Sequence, residues 1–274
     1  KALRVRQPRQ HPAELRRRAE DGHGEKGAAS RGDGPAPRRR ATRLTVRLER
    51  RGHAGARSLL VGPTGRRSAG KGSAGSDLTV DYGTAVEARG RLTDAHGRGV
   101  GRRPVTIAVR AAAGGGAPER HRVLTDSGGR FELRLAPGTS RRLAVAFHGA
   151  AGLAPAPRCS LTLRVRAGVT LAAEPTELRT GDSVHLSGRV RLGPAHVSGR
   201  GKLIAVQYLE RATERWRPAL VVRTDPKGRF DTGYRFRYVT GVARIRLRAT
   251  APAEGGWPFA RGSSSPVTIT VRAR

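Results

Sequence analysis

The chain has 274 residues, of which 36% are hydrophobic and 37 are glycine, so it has length for two ordinary domains but too little apolar material to pack throughout. Its formal net charge of +33, from 54 Lys and Arg against 21 Asp and Glu, attracts polyanions such as nucleic acid, anionic glycopolymers or acidic lipid; yet Lys is rare and Asn and Met are absent, a composition matching a GC-rich coding sequence that supplies Arg without selection. The single cysteine, Cys159, excludes an internal disulfide and a Cys-based zinc site, and no apolar run reaches the roughly 18 to 20 residues of a membrane-spanning helix.

Residues 1 to 40 carry Gly, Pro, Arg and Glu without a sustained apolar period and end in Pro35-Ala36-Pro37-Arg38-Arg39-Arg40, a texture of disorder or linker. The absence of an initial Met leaves room for a signal peptide or anchor upstream. From Ala41 to Arg51 the texture changes: Leu44, Val46 and Leu48 alternate with Thr45 and Arg47, which predicts a half-buried strand at 43–49. Gly, Ser and Arg return over 52 to 77. Residues 1–77 are therefore expected to be a basic, mostly disordered segment with one strand, which either joins the first folded module or stays unpaired.

Beyond Leu78 the pattern is β throughout: short alternating segments separated by Gly, Pro and Asp. Seven strands are predicted near Leu78, Val86, Val105, Arg120, Phe131, Leu143 and Leu161. Seven more follow near Val169, Val184, Leu203, Ala219, Phe230, Ala243 and Val267. That count and spacing predict an all-β protein of two tandem seven-stranded β-sandwiches, residues 78–167 and 168–274.

An internal repeat carries the same conclusion. Thr125-Asp126-Ser127-Gly128-Gly129-Arg130-Phe131 returns as Thr224-Asp225-Pro226-Lys227-Gly228-Arg229-Phe230. Gly90-Arg91-Leu92 returns as Gly188-Arg189-Val190, and Leu161-Thr162-Leu163-Arg164-Val165-Arg166 as Val267-Thr268-Ile269-Thr270-Val271-Arg272. Three blocks in one order mark a duplicated unit. In the repeated block Asp126 or Asp225 opens a type I turn, Pro226 fits its second position, and Gly129 or Gly228 its fourth. The turn is expected to be that of a hairpin, with Phe131 and Phe230 early in the returning strands and buried. Arginines alternating with apolar residues, as in Arg244-Ile245-Arg246-Leu247-Arg248, are expected to point outward along solvated sheet faces. Only Arg166-Ala167-Gly168 separates the modules, which favours limited relative motion.

The run Arg89-Gly90-Arg91-Leu92-Thr93-Asp94-Ala95-His96-Gly97-Arg98-Gly99-Val100, then Val105-Thr106-Ile107-Ala108-Val109 and the Thr-Asp-x-x-Gly-Arg-Phe turn, resembles the Ig-like and carboxypeptidase-regulatory-like (prealbumin-like) modules of secreted or surface proteins from GC-rich actinobacteria. Tyr234-Arg235-Phe236-Arg237-Tyr238, Leu247-Arg248-Ala249 and Gly256-Trp257-Pro258-Phe259 continue the likeness. It covers about residues 78 to 274 and departs at Gly99, where such modules carry Pro. The resemblance implies an extracytoplasmic spacer, adhesion or accessory role, and specifies a fold better than an activity.

Chemistry-bearing patterns are thin. Leu59 to Gly65 followed by Gly70-Lys71-Gly72-Ser73 is a phosphate-loop-like string with Gly where Ser or Thr belongs. Gly22-His23-Gly24-Glu25-Lys26-Gly27 follows no strand, His11-Pro12-Ala13-Glu14 lacks a third ligand, and Arg31-Gly32-Asp33 arises freely in an Arg-Gly segment. Eight of the eleven aromatics, Trp216 and Trp257 among them, fall in the second module, as core and loop anchors or as a sugar platform. No catalytic, cofactor-binding or metal-binding residue is assigned, and no cofactor. The expected function is a non-catalytic structural, spacer or adhesion segment with cell-wall polymer or surface proteins as candidate partners. The alternative is non-specific polyanion binding through the basic tail and Arg-rich sheet faces.

Overall fold

Strict alternation builds the first strand. In β1 (Thr42–Arg50) Leu44, Val46 and Leu48 are buried while Arg43, Thr45 and Arg47 face outward, which commits the strand to one face of a sheet. The computed structural model describes residues 39–51, 77–193, 195 and 200–274, and every regular element in them is a strand. The protein is all-β.

Two sandwiches follow one another. In the first, β1 pairs antiparallel with β3 (Val86–Asp94), and β3 with β6 (Arg130–Leu135), as a small three-stranded sheet. Facing it is a five-stranded sheet ordered β2 (Leu78–Val80), β8 (Cys159–Val165), β7 (Arg141–Ala146), β4 (Pro104–Ala111) and β5 (Glu119–Leu124). In the second, β9 (Val169–Glu174), β11 (Ser183–Val190) and β14 (Arg229–Arg235) form the small sheet. Its large sheet runs β10 (Glu177–Arg179), β17 (Val267–Arg272), β15 (Val242–Ala251), β12 (Leu203–Glu210) and β13 (Arg215–Arg223), with β16 (Gly262–Ser263) beside β15. All seven strands expected in each module are present. Three more were not expected as members: β1 in the first sandwich, β10 and β16 in the second.

The correspondence between the sandwiches explains β1. Strand β9 occupies the same edge of the second small sheet as β1 does in the first, and the short β10 lies parallel to the closing strand β17 as β2 lies parallel to β8. Between β9 and β10 only Pro175 and Thr176 intervene, whereas residues 51–77 separate β1 from β2. Residues 42–50 therefore belong to the first sandwich. The rest of the basic segment predicted as disordered, residues 1–38 and 52–76, lies outside the described residues.

The repeated turn is not a hairpin. Strand β5 pairs with β4 in the large sheet, while β6 pairs with β3 in the small one, so the turn carries the chain from one sheet to the other; β13 and β14 do the same. The turn chemistry is that expected, but strand pairing is decided elsewhere, by the partner of the phenylalanine. Phe131 stands opposite Gly90 on β3, and Phe230 opposite Gly188 on β11. A Cβ on Gly90 would lie 2.2 Å from the Phe131 ring, and one on Gly188 would lie 2.3 Å from the Phe230 ring. The ring fills the space a side chain would take, and both phenylalanines are buried.

We expect Gly90→Ala to destabilise the chain by about 1–3 kcal/mol through overpacking, measured by urea unfolding. Introduced into Phe131→Ala, the same substitution should cost at least about 1 kcal/mol less, the signature of direct coupling. Additive effects would remove the interlock.

Candidate functional site

The seven turn residues singled out in the sequence form two copies of one structure. In the first copy the Asp126 amide donates to Arg130 O (2.8 Å), the Gly129 amide to Asp126 O (3.0 Å), and the Arg130 amide to Asp126 Oδ1 (2.8 Å). In the second, the Asp225 amide donates to Arg229 O (2.7 Å), the Gly228 amide to Asp225 O (3.0 Å), and the Arg229 amide to Asp225 Oδ1 (2.8 Å). Gly129 and Gly228 have φ of 76° and 78°, the left-handed region that glycine enters without penalty. Their carbonyls accept from the Leu92 and Val190 amides, each at 2.8 Å, so each turn continues the ladder of its small sheet. Pro226 takes the second turn position, where Ser127 stands in the first copy, and the hydrogen bonding does not change.

Buried threonines fasten the other side. Thr125 Oγ1 donates to Val100 O (2.7 Å) and accepts from the Arg103 amide (3.0 Å). Thr224 Oγ1 accepts from the Lys202 amide, also at 3.0 Å. This Thr–Asp pair is what the matched spacing encodes.

Beside each turn lies an open groove against the small sheet. The first, about 1,000 Å3, is lined by Thr45, Arg91, Leu124, Asp126, Arg130 and Glu132 among others. The second, about 780 Å3, is lined by the matching Thr170, Arg189, Arg223, Asp225, Arg229 and Asp231. Several of their polar groups hold the fold. Asp126 and Asp225 serve their own turns, and Thr45 and Thr170 donate to Arg91 O and Arg189 O, both at 3.3 Å. On the outer face of the first small sheet, arginines and glutamates interlock: Arg89 meets Glu87 (2.8 Å), Glu49 (3.3 Å) and Glu132 (3.3 Å), while Arg51 and Arg134 also reach Glu87. Glu87 raises the Arg89 pKa most, with Glu132 and Glu49 adding to it against the opposing pull of desolvation.

The junction between sandwiches is the most heavily built feature. The loop after β15 carries Trp257, Pro258, Phe259 and Ala260 onto the first sandwich. The Ser140 amide donates to Pro258 O (2.9 Å), the Ala167 amide to Ala260 O (3.0 Å), and the Ala260 amide to Val165 O (2.8 Å). Ala260 thus bridges Arg166 as a parallel partner, and the three-residue linker is held in a backbone ladder. The Phe259 ring is 3% exposed and packs against Tyr82 (centroids 5.7 Å apart) and Trp257 (5.5 Å). One hydrophobic cluster runs from Val80 and Val165 of the first sandwich through Phe259 to Val190, Ile204 and Ala251 of the second.

A buried lysine braces this loop. Lys202 Nζ donates to Pro252 O (2.7 Å), pairs with Glu254 (3.0 Å) and lies 5.3 Å from the Trp257 ring centre. Desolvation holds its pKa below the usual lysine range, opposed by Glu254. Nothing in the sequence marked Lys202 or Phe259 as junction residues; the only signal was the cluster Trp257-Pro258-Phe259, read as an anchor. Trp216 instead lies on the outer sheet face, with the Arg248 guanidinium 4.1 Å from its ring centre. Cys159 is buried, its Sγ 3.4 Å from Leu44 O. Among the described residues no cluster of three or more His, Cys, Asp or Glu could hold a metal, and no helix is long and apolar enough to cross a membrane. The patterns at 11–14, 22–27, 31–33 and 59–73 lie outside the described residues.

No family model and no curated protein matches the chain. Among solved structures it is similar to the Yersinia pseudotuberculosis adhesin InvE, at 16% identity over 70% of this chain and 56% of that one, with a TM-score of 0.29. The Escherichia coli adhesin FdeC matches at 15% identity over 70% of this chain and 61% of that one, TM-score 0.31. Salmonella alpha-2-macroglobulin reacted with methylamine matches at 15% over 72% of this chain and 14% of that one, TM-score 0.29. The chain therefore spans less than two thirds of each of these proteins.

If the repeated Asp holds each turn, Asp126→Ala and Asp225→Ala should each cost about 1 kcal/mol in urea unfolding, within the range of losing a capping acceptor. Asp→Asn at either position should restore most of the loss, because the amide oxygen still accepts. Alanine variants with wild-type stability would contradict the assignment.

Proposed function

We propose that the chain is a non-catalytic, stiff tandem segment of a secreted or surface protein, holding what lies on either side of it at a fixed separation and angle. The observation that carries this reading is the junction. Two independently built sandwiches could hang on a free three-residue linker, and here the linker is instead hydrogen-bonded through its backbone to a loop from the second sandwich. Inter-domain contacts within a chain ordinarily permit relative motion unless the interface is apolar and continuous; Phe259, Tyr82 and Trp257 make it so. The resemblance of the repeat to Ig-like modules supports the same role and the extracytoplasmic location. The engagement of the groove residues in turn and ladder hydrogen bonds supports a structural use for them.

Stiffness is measurable on the whole chain by electron–electron distance spectroscopy with spin labels at Arg98→Cys and Arg237→Cys, the native Cys159 being buried. One narrow distance is expected, broadened by Phe259→Ala. A broad distribution in the parent chain, or one that Phe259→Ala leaves unchanged, would overturn the spacer reading.

A further inference from the structure

The two outer faces of the first sandwich distribute their ion pairs differently. On the small sheet, Glu49, Glu87 and Glu132 stand among Arg47, Arg89 and Arg134 and pair with them, while Arg43, Arg91 and Arg130 have no carboxylate partner among the described residues. On the large sheet, Arg110, Arg120, Arg122 and Arg142 are all exposed, and none of them has a carboxylate partner within ion-pair distance among the described residues. Glu119 ion-pairs with His121, and both stand opposite the inward-facing Val109 and Ile107, on the other side of the strand.

The register places the four arginines along a diagonal. Arg122 and Arg120 sit on β5 opposite Thr106 and Ala108 of β4. Arg110 is two residues further along β4 and directly opposite Arg142 of β7. One strand further on, Arg164 of β8 closes the line, bound to Asp77 at 3.0 Å. From strand spacing and rise, neighbouring members lie about 5 to 8 Å apart. Between them the floor is Thr106, Ala108, Ala144, Ala146, Ser160 and Thr162, small residues that leave the stripe flat and open. Like charges directly opposite one another, as Arg110 and Arg142 are, destabilise a sheet. Biased Arg usage acts on the whole chain and does not by itself align four arginines without carboxylate partners along one diagonal.

We propose that this face binds an extended phosphodiester polymer of sugars or polyols, lying along the diagonal with successive phosphates on successive arginines. Guanidinium groups grip phosphate oxygens in bidentate fashion. The floor carries no aromatic ring on which a nucleobase could stack, the element that single-stranded nucleic-acid sites rely on. This site does not depend on the stiffness of the junction, and the binding test below is blind to it.

The test uses the full chain and end-labelled poly(glycerol phosphate), with binding followed by fluorescence anisotropy between about 25 and 250 mM NaCl. A quadruple variant, Arg110→Gln, Arg120→Gln, Arg122→Gln and Arg142→Gln, is compared with a control of equal charge loss at the exposed Arg158, Arg215, Arg237 and Arg244. The face variant should lose at least about tenfold in affinity at low salt, and its log–log salt slope should flatten by about three to four. The control should change by less than about threefold, and its slope by less than about one. Replacing the same four arginines with Lys should keep most of the slope, since the charges remain. Arg142→Gln alone should raise the melting temperature by relieving Arg110, which also reports that the variant folds. Equal losses in the two quadruple variants, or no measurable binding by the parent chain, would overturn the proposal. Tighter binding of a single-stranded oligonucleotide through the same four arginines would overturn the choice of ligand.

Discussion

A phenylalanine ring laid over a glycine fixes each sandwich. Phe131 on Gly90 and Phe230 on Gly188 lock the third strand of the small sheet to the second in one register, because a slip of one residue would move the ring outward and put a side chain where the ring belongs. Everything nearby follows from that lock. The turn must bring the chain across from the large sheet to reach the glycine, so Asp126 and Asp225 bind their own turn amides, and Gly129 and Gly228 adopt positive φ to continue the ladder. The buried Thr125 and Thr224 then tie each turn to the segment leading into the large sheet.

Duplication explains the modules and supplies the loop that connects them. The loop carrying Trp257 to Ala260 corresponds to the β7–β8 connection of the first sandwich, whose Leu153 bridges Arg40 in parallel just before β1 as Ala260 bridges Arg166 just before β9; only β16 has no equivalent there among the described residues. In the second copy the segment it bridges is the linker itself, so the loop packs backward onto the first sandwich. Lys202 shows what that costs: an ammonium group taken out of water, its pKa depressed by desolvation, kept in place by the Pro252 carbonyl, Glu254 and the face of Trp257. A buried charge of this kind is retained where it fixes geometry, and here it fixes the loop that spans the junction.

Much of the fold was legible because its signals are local. Two-residue alternation located every long strand, and the matched Gly-Arg and Thr-Asp-x-x-Gly-Arg-Phe blocks disclosed the duplication and named the buried phenylalanines. What the sequence withheld was non-local. Strand β1 alternates as clearly as any other, but residues 51–77 separate it from β2, and only the comparison with β9 shows where it belongs. A type I turn looks the same in a hairpin and in a crossing between sheets; the difference lies in whether β6 finds β5 or Gly90. The junction was legible only as an aromatic cluster, because its ladder is made of backbone groups and Phe259 finds Tyr82 across 177 positions of chain. In the sequence the arginines form one alternating pattern, which suits solvated sheet faces or, as the alternative, non-specific polyanion binding. Pairing separates the arginines gathered around Glu87 from the diagonal of Arg110, Arg120, Arg122 and Arg142, which has no carboxylate partner among the described residues.

The central claim is that the two sandwiches behave as one mechanical body because Phe259 and its loop weld two copies of a single design. Calorimetry of the full chain tests it most directly. Small domains unfold cooperatively, so welded sandwiches should melt in one transition whose van't Hoff enthalpy matches the calorimetric enthalpy, and Phe259→Ala should split that transition in two. Two separate transitions in the parent chain, each with its own matched enthalpy, would contradict the account.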